Sequence, residues 1–152
     1  MKLDRIDRKI LSLLQRNARI SNAALAERVN LSPTPCLRRL RKLQDSGLIE
    51  GYTAILDKKA LGLQMSAFVF VSLEKNTREN GEAFESALKG LAEVTECCVV
   101  AGRHDYVLRV VTRSLEDYER FLKERLAEVQ VVAGLESMII LNQSMHRHEL
   151  PL

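Results

Sequence analysis

The residues best suited to chemistry lie in two short segments of this 152-residue chain. Residues 32–42, SPTPCLRRLRK, place four basic side chains within five positions, and residues 102–106, GRHDY, set Arg, His and Asp side by side. An Arg can donate two hydrogen bonds to the edge of a guanine, and Lys or a helix N-terminus can hold a phosphate. The first segment therefore indicates an anionic partner.

The charge of the chain is concentrated in its first part. Residues 1–60 hold 13 Lys and Arg against 6 Asp and Glu, a formal charge of +7. Residues 61–152 hold 10 against 14, a formal charge of −4. We therefore expect two domains with a boundary at residue 60, of which only the first meets an anionic partner.

The composition, 46% hydrophobic and 28% charged, excludes a disordered or fibrous chain. No apolar run approaches the ~20 residues that a membrane span requires. The cysteines stand at no metal-ligand spacing, and His146 and His148 have no third ligand nearby, so we expect no metal site and no cofactor. Because the charged start, MKLDR, lacks the apolar segment of a signal peptide, we expect a cytoplasmic protein.

Apolar residues at helical spacing predict three helices in the basic domain. The first spans residues 4–17, the second follows Ser21, and the third begins at residues 33–35 and is stopped by Gly47. A tight turn at residues 30–32 separates the second helix from the third. Two short helices joined in this way and packed on a longer one are typical of a helix-turn-helix that enters the DNA major groove.

The third helix carries the predicted contacts with double-stranded DNA. Its basic side chains are expected to point away from its leucine face, and its N-terminal end is the end that enters the groove. The predicted DNA-binding residues are Ser32, Thr34, Pro35, Arg38, Arg39, Arg41 and Lys42. The alternative is an ordinary helix with a solvated basic face, but helix spacing, turn and charge agree on DNA. Residues 48–56 follow as a short strand or an extended linker.

The acidic domain, residues 61–152, has the order βαββαβ. Runs rich in Val, Ile and aromatic residues predict its strands at 66–73, 94–101, 106–112 and 135–143. Apolar stripes at helical spacing predict a helix after the first strand and another that starts at Ser114. This α+β order implies a ferredoxin-like open sheet with both helices on one face. Because the strands are also apolar on the other face, we expect a second subunit to cover it.

Three segments of the chain resemble one family. They are LDRIDRKIL, ISNAALAERVNLSPTPCLRRLRKLQDSGLIEGY and AGRHDYVLRV. Over nearly its whole length the chain is similar to the leucine-responsive and asparagine-sensing (Lrp/AsnC) transcription regulators of prokaryotes. The resemblance implies an N-terminal winged helix-turn-helix and a C-terminal amino-acid-sensing domain. It also implies homodimers that pair through their sheets, often assembled into octamers, with a small amino acid bound between subunits near residues 102–106.

The resemblance identifies the effector-binding residues as Gly102, Arg103, His104, Asp105 and Tyr106. Gly102 permits close approach of a ligand to the backbone, Asp105 can accept from an ammonium group, and Arg103 or His104 can hold a carboxylate. By residue types alone, an ordinary β-turn is the simpler interpretation, and the resemblance reverses that preference. Arg103 departs from the family, because many members have an acidic residue directly after the glycine.

We therefore expect a sequence-specific transcriptional regulator, associated with the nucleoid, whose DNA binding or assembly responds to an amino acid. We do not expect an enzyme. Two alternatives stay open. Some sirohaem decarboxylases resemble this architecture and use histidines in the cleft of the C-terminal domain, a role that His104 could have. Such an enzyme, however, has no need of a basic helix. The other alternative is an architectural, nucleoid-compacting protein with little sequence preference.

Overall fold

The chain divides into two units in the computed structural model, which describes residues 2–152. One unit comprises the residues up to Ile55 together with Ser144–Leu152, and the other comprises Leu56–Gln143. The boundary expected at residue 60 therefore lies a few residues inside the second unit. The C-terminal tail, which the sequence analysis assigned to the second domain, groups with the first unit.

Three helices build the first unit, as predicted: α1 (Arg5–Arg16), α2 (Asn22–Arg28) and α3 (Pro33–Asp45). Their apolar faces enclose a small core of aliphatic side chains and one cysteine. Its most deeply buried members are Ile10, Leu25, Ala26, Cys36 and Leu43. Residues 48–56 contain no strand, so this segment is the extended linker rather than the strand.

Local signals determine where these helices begin and end. Asp4 caps α1, because its carboxylate accepts a hydrogen bond from the backbone N–H of Asp7 at 2.8 Å. Between α2 and α3, Asn30 has a φ of 56°, the left-handed conformation that Asn tolerates. Gly47 follows α3 with a φ of 75°, which a residue with a side chain rarely adopts. The predicted turn and the predicted helix stop are therefore confirmed.

The C-terminal tail lies against the last turn of α1. The side-chain amide of Gln15 accepts from the backbone N–H of Leu150 at 2.5 Å and donates to the carbonyl of Leu150 at 3.3 Å. Beside it, Arg16 forms an ion pair with Glu149 at 3.3 Å. These exposed contacts explain why residues 144–152 group with the first unit.

An ion-pair network joins α1 to α3. Arg39 Nη1 donates at 2.7 Å to a carboxylate oxygen of Asp4 and at 2.7 Å to one of Asp7. Arg39 therefore faces α1, which corrects the expectation that it lies with the other cations on the exposed face. The reason is the rotation of about 100° per residue along a helix: Arg38, Arg41 and Lys42 fall within about 100° of one another, whereas Arg39 lies about 160° from Arg41, on the side that faces α1.

The network also determines how its charged groups titrate. The N–H of Asp7, and then the Arg39 guanidinium, hold the pKa of Asp4 below its usual value. Hydrogen bonds to the two carboxylates raise the pKa of Arg39. A carboxyl group whose pKa is lowered by folding stabilises the fold above its ordinary pKa, and this contribution is lost as the pH falls through the lowered value.

We expect Arg39→Gln to lower the free energy of unfolding by about 1 kcal/mol at pH 7, the upper value for an exposed ion pair. The difference from the unmodified protein should shrink below pH ~4, where carboxylates become protonated. Urea unfolding at pH 7 and at pH 3 measures both effects. Arg8→Gln, which removes an exposed cation from α1 that takes no part in the network, is the control. A difference that stays undiminished at pH 3 would contradict this account.

The second unit is the predicted βαββαβ fold. In chain order it contains β1 (Met65–Leu73), α4 (Arg78–Leu88), β2 (Val94–Val99), β3 (Tyr106–Thr112), α5 (Leu115–Phe121) and β4 (Val132–Ile139). A π-helical turn, Leu122–Leu126, extends α5. The strands lie in the order β2–β3–β1–β4, and every neighbouring pair is antiparallel. Central strand β1 therefore has a partner on each side.

The helices cover one face of this sheet and leave the other open. Alternate residues of β1 are buried against Phe84 of α4 and Phe121 of α5. On the opposite face, the side chains of Phe68 and Met138 face each other across β1 and β4 and are 37% and 52% exposed. The open face defined by Phe68, Phe70 and Met138 is the second apolar face that the sequence predicted.

Candidate functional site

The exposed side chains of Arg38, Arg41 and Lys42 form a basic stripe along one side of α3. They line an open groove of about 450 Å³ that is formed by Thr34, Leu37, Arg38, Arg41, Lys42 and Asp45. None of the ion pairs formed within residues 2–152 involves its three cations. Their charge is therefore available to an external anion such as the phosphate backbone of DNA.

The N-terminal end of α3 is held in place from α2. The Asn22 side chain donates to the carbonyl of Pro33 at 2.9 Å, so the start of α3 is tied to the start of α2. Ser32 precedes α3 and makes no side-chain capping bond, which leaves its exposed hydroxyl free. Pro35 is half-buried, and Thr34 is exposed. The structure thus places these predicted residues at one end of the basic stripe, whereas Arg39 turns to α1.

The hairpin of residues 100–106 joins β2 to β3 beside the end of β1. The N–H of Asp105 donates to the carbonyl of Val71 at 3.0 Å. The Asp105 carboxylate accepts from the backbone N–H of Leu73 at 2.8 Å and from the side chain of Asn76 at 2.7 Å. Asp105 therefore fastens the hairpin to β1 and to the segment that follows it. Each of its oxygens keeps a lone pair for a further donor.

Gly102 leaves open space on the hairpin. A Cβ atom added at this position would meet no atom within 4 Å, and its φ lies outside the left-handed region. Backbone geometry therefore does not require glycine here. This argues against the interpretation that Gly102 serves only to form a turn, and it leaves room for an atom of a ligand or of another subunit.

His104 lies between two polar groups of neighbouring strands. Its Nδ1 is 3.1 Å from the Ser72 hydroxyl on β1, and its Nε2 is 3.1 Å from a carboxylate oxygen of Glu136 on β4. A carboxylate only accepts, so Nε2 carries a proton, and in the neutral ring Nδ1 then accepts from Ser72. The ring also packs 5.4 Å from that of Phe70. His104 is therefore oriented by three contacts.

Arg103 is the exposed cation of the hairpin. Its guanidinium Nη2 lies 3.5 Å from the Glu136 oxygen that His104 also contacts, and its side chain is 83% exposed. Such a contact is weak, because water screens the pair and the long side chain loses freedom when it is held. Arg103 can consequently turn toward another anion at small cost.

Tyr106 belongs to the helix–sheet core. It is 5% exposed, and its ring packs 4.8 Å from that of Phe84. Its hydroxyl donates to Glu85 at 3.1 Å, and burial together with that carboxylate raises the pKa of Tyr106 to about 12. Only its backbone can contact a ligand on the open face, which corrects the prediction for its side chain. Successive strand residues point to opposite faces, and Val107 takes the open one.

Ser72 and Glu136 are the site residues that the sequence analysis missed. Glu136 is the one charged residue within the apolar run LESMII, which is a usable signal. Ser72 gives no such signal, because its role depends on the hairpin that folds beside it. The register places Phe70 opposite Glu136, so the two residues share the open face.

Comparison with known proteins matches both units. A family model described as winged helix-turn-helix DNA-binding matches residues 3–50, and one described as Lrp/AsnC ligand binding domain matches residues 66–150. Leucine-responsive regulatory proteins of Escherichia coli K12 and Klebsiella pneumoniae are 38% identical over 148 residues. The match covers 97% of this chain and 90% of each relative.

Solved structures of family members are similar to this chain over nearly its full length. A transcriptional regulator from Neisseria meningitidis in complex with L-Met is 35% identical and has a TM-score of 0.94 over 99% of this chain and 97% of that chain. Escherichia coli AsnC is 27% identical, with a TM-score of 0.91 over 99% of this chain and 100% of that chain.

No helix within residues 2–152 is long and apolar enough to cross a membrane. The same part of the chain holds no group of three His, Cys, Asp or Glu side chains that could bind a metal ion. The family models, the relatives and the fold agree over nearly the full length. The chain therefore belongs to the Lrp/AsnC family of transcriptional regulators, with an N-terminal winged helix-turn-helix DNA-binding domain and a C-terminal ligand-binding domain.

Proposed function

We propose that this regulator binds specific DNA sequences through the exposed side of α3. The observation that carries the proposal is the basic stripe of three cations that have no partner within residues 2–152. Arg39 is left out, because its guanidinium is already bonded to Asp4 and Asp7. The proposed contacts are Ser32, Thr34, Pro35, Arg38, Arg41 and Lys42.

In this proposal the two parts of the chain have separate functions. Residues 1–60 bind DNA and supply the linker, and residues 61–152 bind the effector and hold the assembly together. The protein acts on the nucleoid in the cytoplasm, catalyses no reaction and needs no cofactor besides its effector.

The proposed effector is a small amino acid bound at the hairpin of residues 100–106, in a cleft between subunits. A structural relative, 35% identical to this chain, has been solved in complex with L-Met. The hairpin offers complementary groups, since Asp105 keeps lone pairs for an ammonium group and Arg103 can turn from its weak contact with Glu136 to a ligand carboxylate. Open space at Gly102 admits the ligand backbone.

The open sheet face supports a homodimer, which we propose assembles further into an octamer. Phe68 and Met138 expose apolar surface there, and burying it against a second copy removes it from water. Two copies also bring two recognition helices to one DNA molecule, so half-sites should lie about 10 bp apart or at multiples of that spacing.

Arg38→Ala should weaken binding to the preferred DNA sequence by about 1–3 kcal/mol and relax the preference at one base pair, because Arg38 lies near the helix end that enters the groove. Lys42→Ala should weaken binding to all DNA sequences alike, because Lys42 is assigned to a phosphate. The slope of log affinity against log salt concentration should become shallower by about one. Fluorescence anisotropy with a sequence selected from a random pool, at several salt concentrations, measures both effects.

Lys89→Ala provides the matched control for these DNA measurements. It removes an exposed cation from the second unit and should leave DNA affinity unchanged. If Arg38→Ala and Lys42→Ala lower the affinity for selected and random DNA equally, the assignment of Arg38 to a base is wrong and the protein is an architectural binder.

Calorimetry against the twenty amino acids tests the effector site. We expect heat from at least one of them at millimolar concentration or below, and Asp105→Asn should weaken that binding by about 1.5–3 kcal/mol, the range for a hydrogen bond to a charged group. Asp57→Asn is the control, since Asp57 also accepts backbone N–H bonds but lies in a different turn. If no amino acid produces heat, the proposed effector site at the hairpin is wrong.

Light scattering tests the proposed dimer. The unmodified chain should be at least a dimer at micromolar concentration, and Phe68→Glu should dissociate it, because a carboxylate would be buried in the apolar contact. Leu115→Glu adds the same charge at an exposed apolar position on the helix side and should leave the mass unchanged. A monomeric unmodified chain would rule the dimer out.

A further inference from the structure

Glu136 contacts Arg103 and His104, the two hairpin side chains that could hold a carboxylate. Its Oε2 atom lies 3.1 Å from Nε2 of His104 and 3.5 Å from Nη2 of Arg103. The Glu136 side chain is 43% exposed and extends from β4 on the open face, opposite Phe70. The groups proposed to receive the carboxylate of the effector are therefore already in contact with a carboxylate of the protein.

The side chain of Glu136 and the α-carboxylate of an amino acid are chemically alike. Both only accept hydrogen bonds, and both are attracted by the guanidinium of Arg103. A second carboxylate that approaches Arg103 must share its N–H donors with Glu136. It also meets the negative charge of Glu136 at close range, which opposes its entry.

We propose that Glu136 is an internal competitor of the effector carboxylate and determines how tightly amino acids bind. The inference rests on the proposed function of the hairpin. It extends that function by adding a specificity-determining residue on a different strand, 30 residues away from the hairpin in the sequence. The competition raises the amino-acid concentration at which the regulator responds.

The two contacts of Glu136 have different roles in this competition. Arg103 is the exchangeable partner, because its side chain is 83% exposed and its contact is the longer one. His104 is 17% exposed and is also bonded to Ser72, so it keeps Glu136 in place when Arg103 turns away. An entering carboxylate takes over Arg103, while Glu136 stays bonded to His104.

The competition also discriminates between amino acids. An acidic side chain brings a second negative charge toward Glu136 and Asp105, whereas a neutral side chain brings none. We therefore expect aspartate and glutamate to be poor effectors of the unmodified protein. Loss of the Glu136 charge should improve their binding more than that of neutral amino acids.

Calorimetry of the full chain with Glu136→Gln tests the proposal. The probes are L-methionine, L-methioninamide and each of the other common amino acids. L-Methioninamide keeps the ammonium group and replaces the carboxylate by a neutral amide. Glu96→Gln is the matched control, because it removes the same charge from the same sheet at a residue that contacts neither Arg103 nor His104.

We expect Glu136→Gln to bind L-methionine, or whichever amino acid binds the unmodified protein most tightly, about fivefold more tightly. The gain should shrink at high salt, since the competing pair is exposed. L-Methioninamide should show no gain, and Glu96→Gln should bind like the unmodified protein. Binding that appears only in Glu136→Gln would also support the competition.

Two results would overturn the inference. One rejects only the role of Glu136, and the other also rejects the effector site. Equal or weaker binding of amino acids to Glu136→Gln, with binding to the unmodified protein intact, rejects the competitor and leaves the effector site standing. A loss shared by L-methionine and L-methioninamide would then assign Glu136 to the ammonium group. No binding to either protein rejects the effector site itself, and the inference with it.

Discussion

Antiparallel pairing of β1 with both β3 and β4 is the constraint on which the candidate effector site depends. Ser72 lies near the end of β1, Glu136 enters from β4 on one side, and the hairpin that leads into β3 brings His104 from the other. These residues are far apart in the sequence and meet only because β1 is central. The same pairing buries Val69 and Val71 under the helices. One strand therefore supports the core on one face and the polar contacts of the site on the other.

In the DNA-binding unit, one cation of α3 holds the helix in place and the others remain available for DNA. Arg39 is used to hold α3 against the capped start of α1, and Asn22 ties the first turn of α3 to α2. Once these contacts fix the helix, the cations of the basic stripe need no internal partner. A cation without an internal partner loses no protein contact when it binds DNA, so its attraction to phosphate is not offset by a broken ion pair.

Caps, turns and the order and apolar faces of the elements could be predicted from the sequence, and individual side-chain contacts between elements could not. The cap at Asp4 and the stop at Gly47 follow from bonds and backbone angles of neighbouring residues. Arg39 is misplaced by sequence reasoning, because periodicity does not show that an acidic helix end packs opposite it. The side chain of Tyr106 is misplaced because the resemblance assigns residues 102–106 as one segment, whereas alternation along β3 turns Tyr106 toward the helices and Val107 toward the open face. The contact of Glu136 with His104 depends on strand register, which composition does not encode.

We propose that an amino acid bound at the hairpin changes the affinity of the regulator for DNA, so that the two binding events are coupled. The most direct measurement is the affinity of the full chain for its selected DNA sequence, with and without a saturating amino acid, paired with the affinity for that amino acid with and without DNA. The account predicts that both affinities change by one common factor, typically 5–150-fold, because coupling between two binding sites is reciprocal. An amino acid that binds at the hairpin and leaves the DNA affinity unchanged at every salt concentration would contradict it.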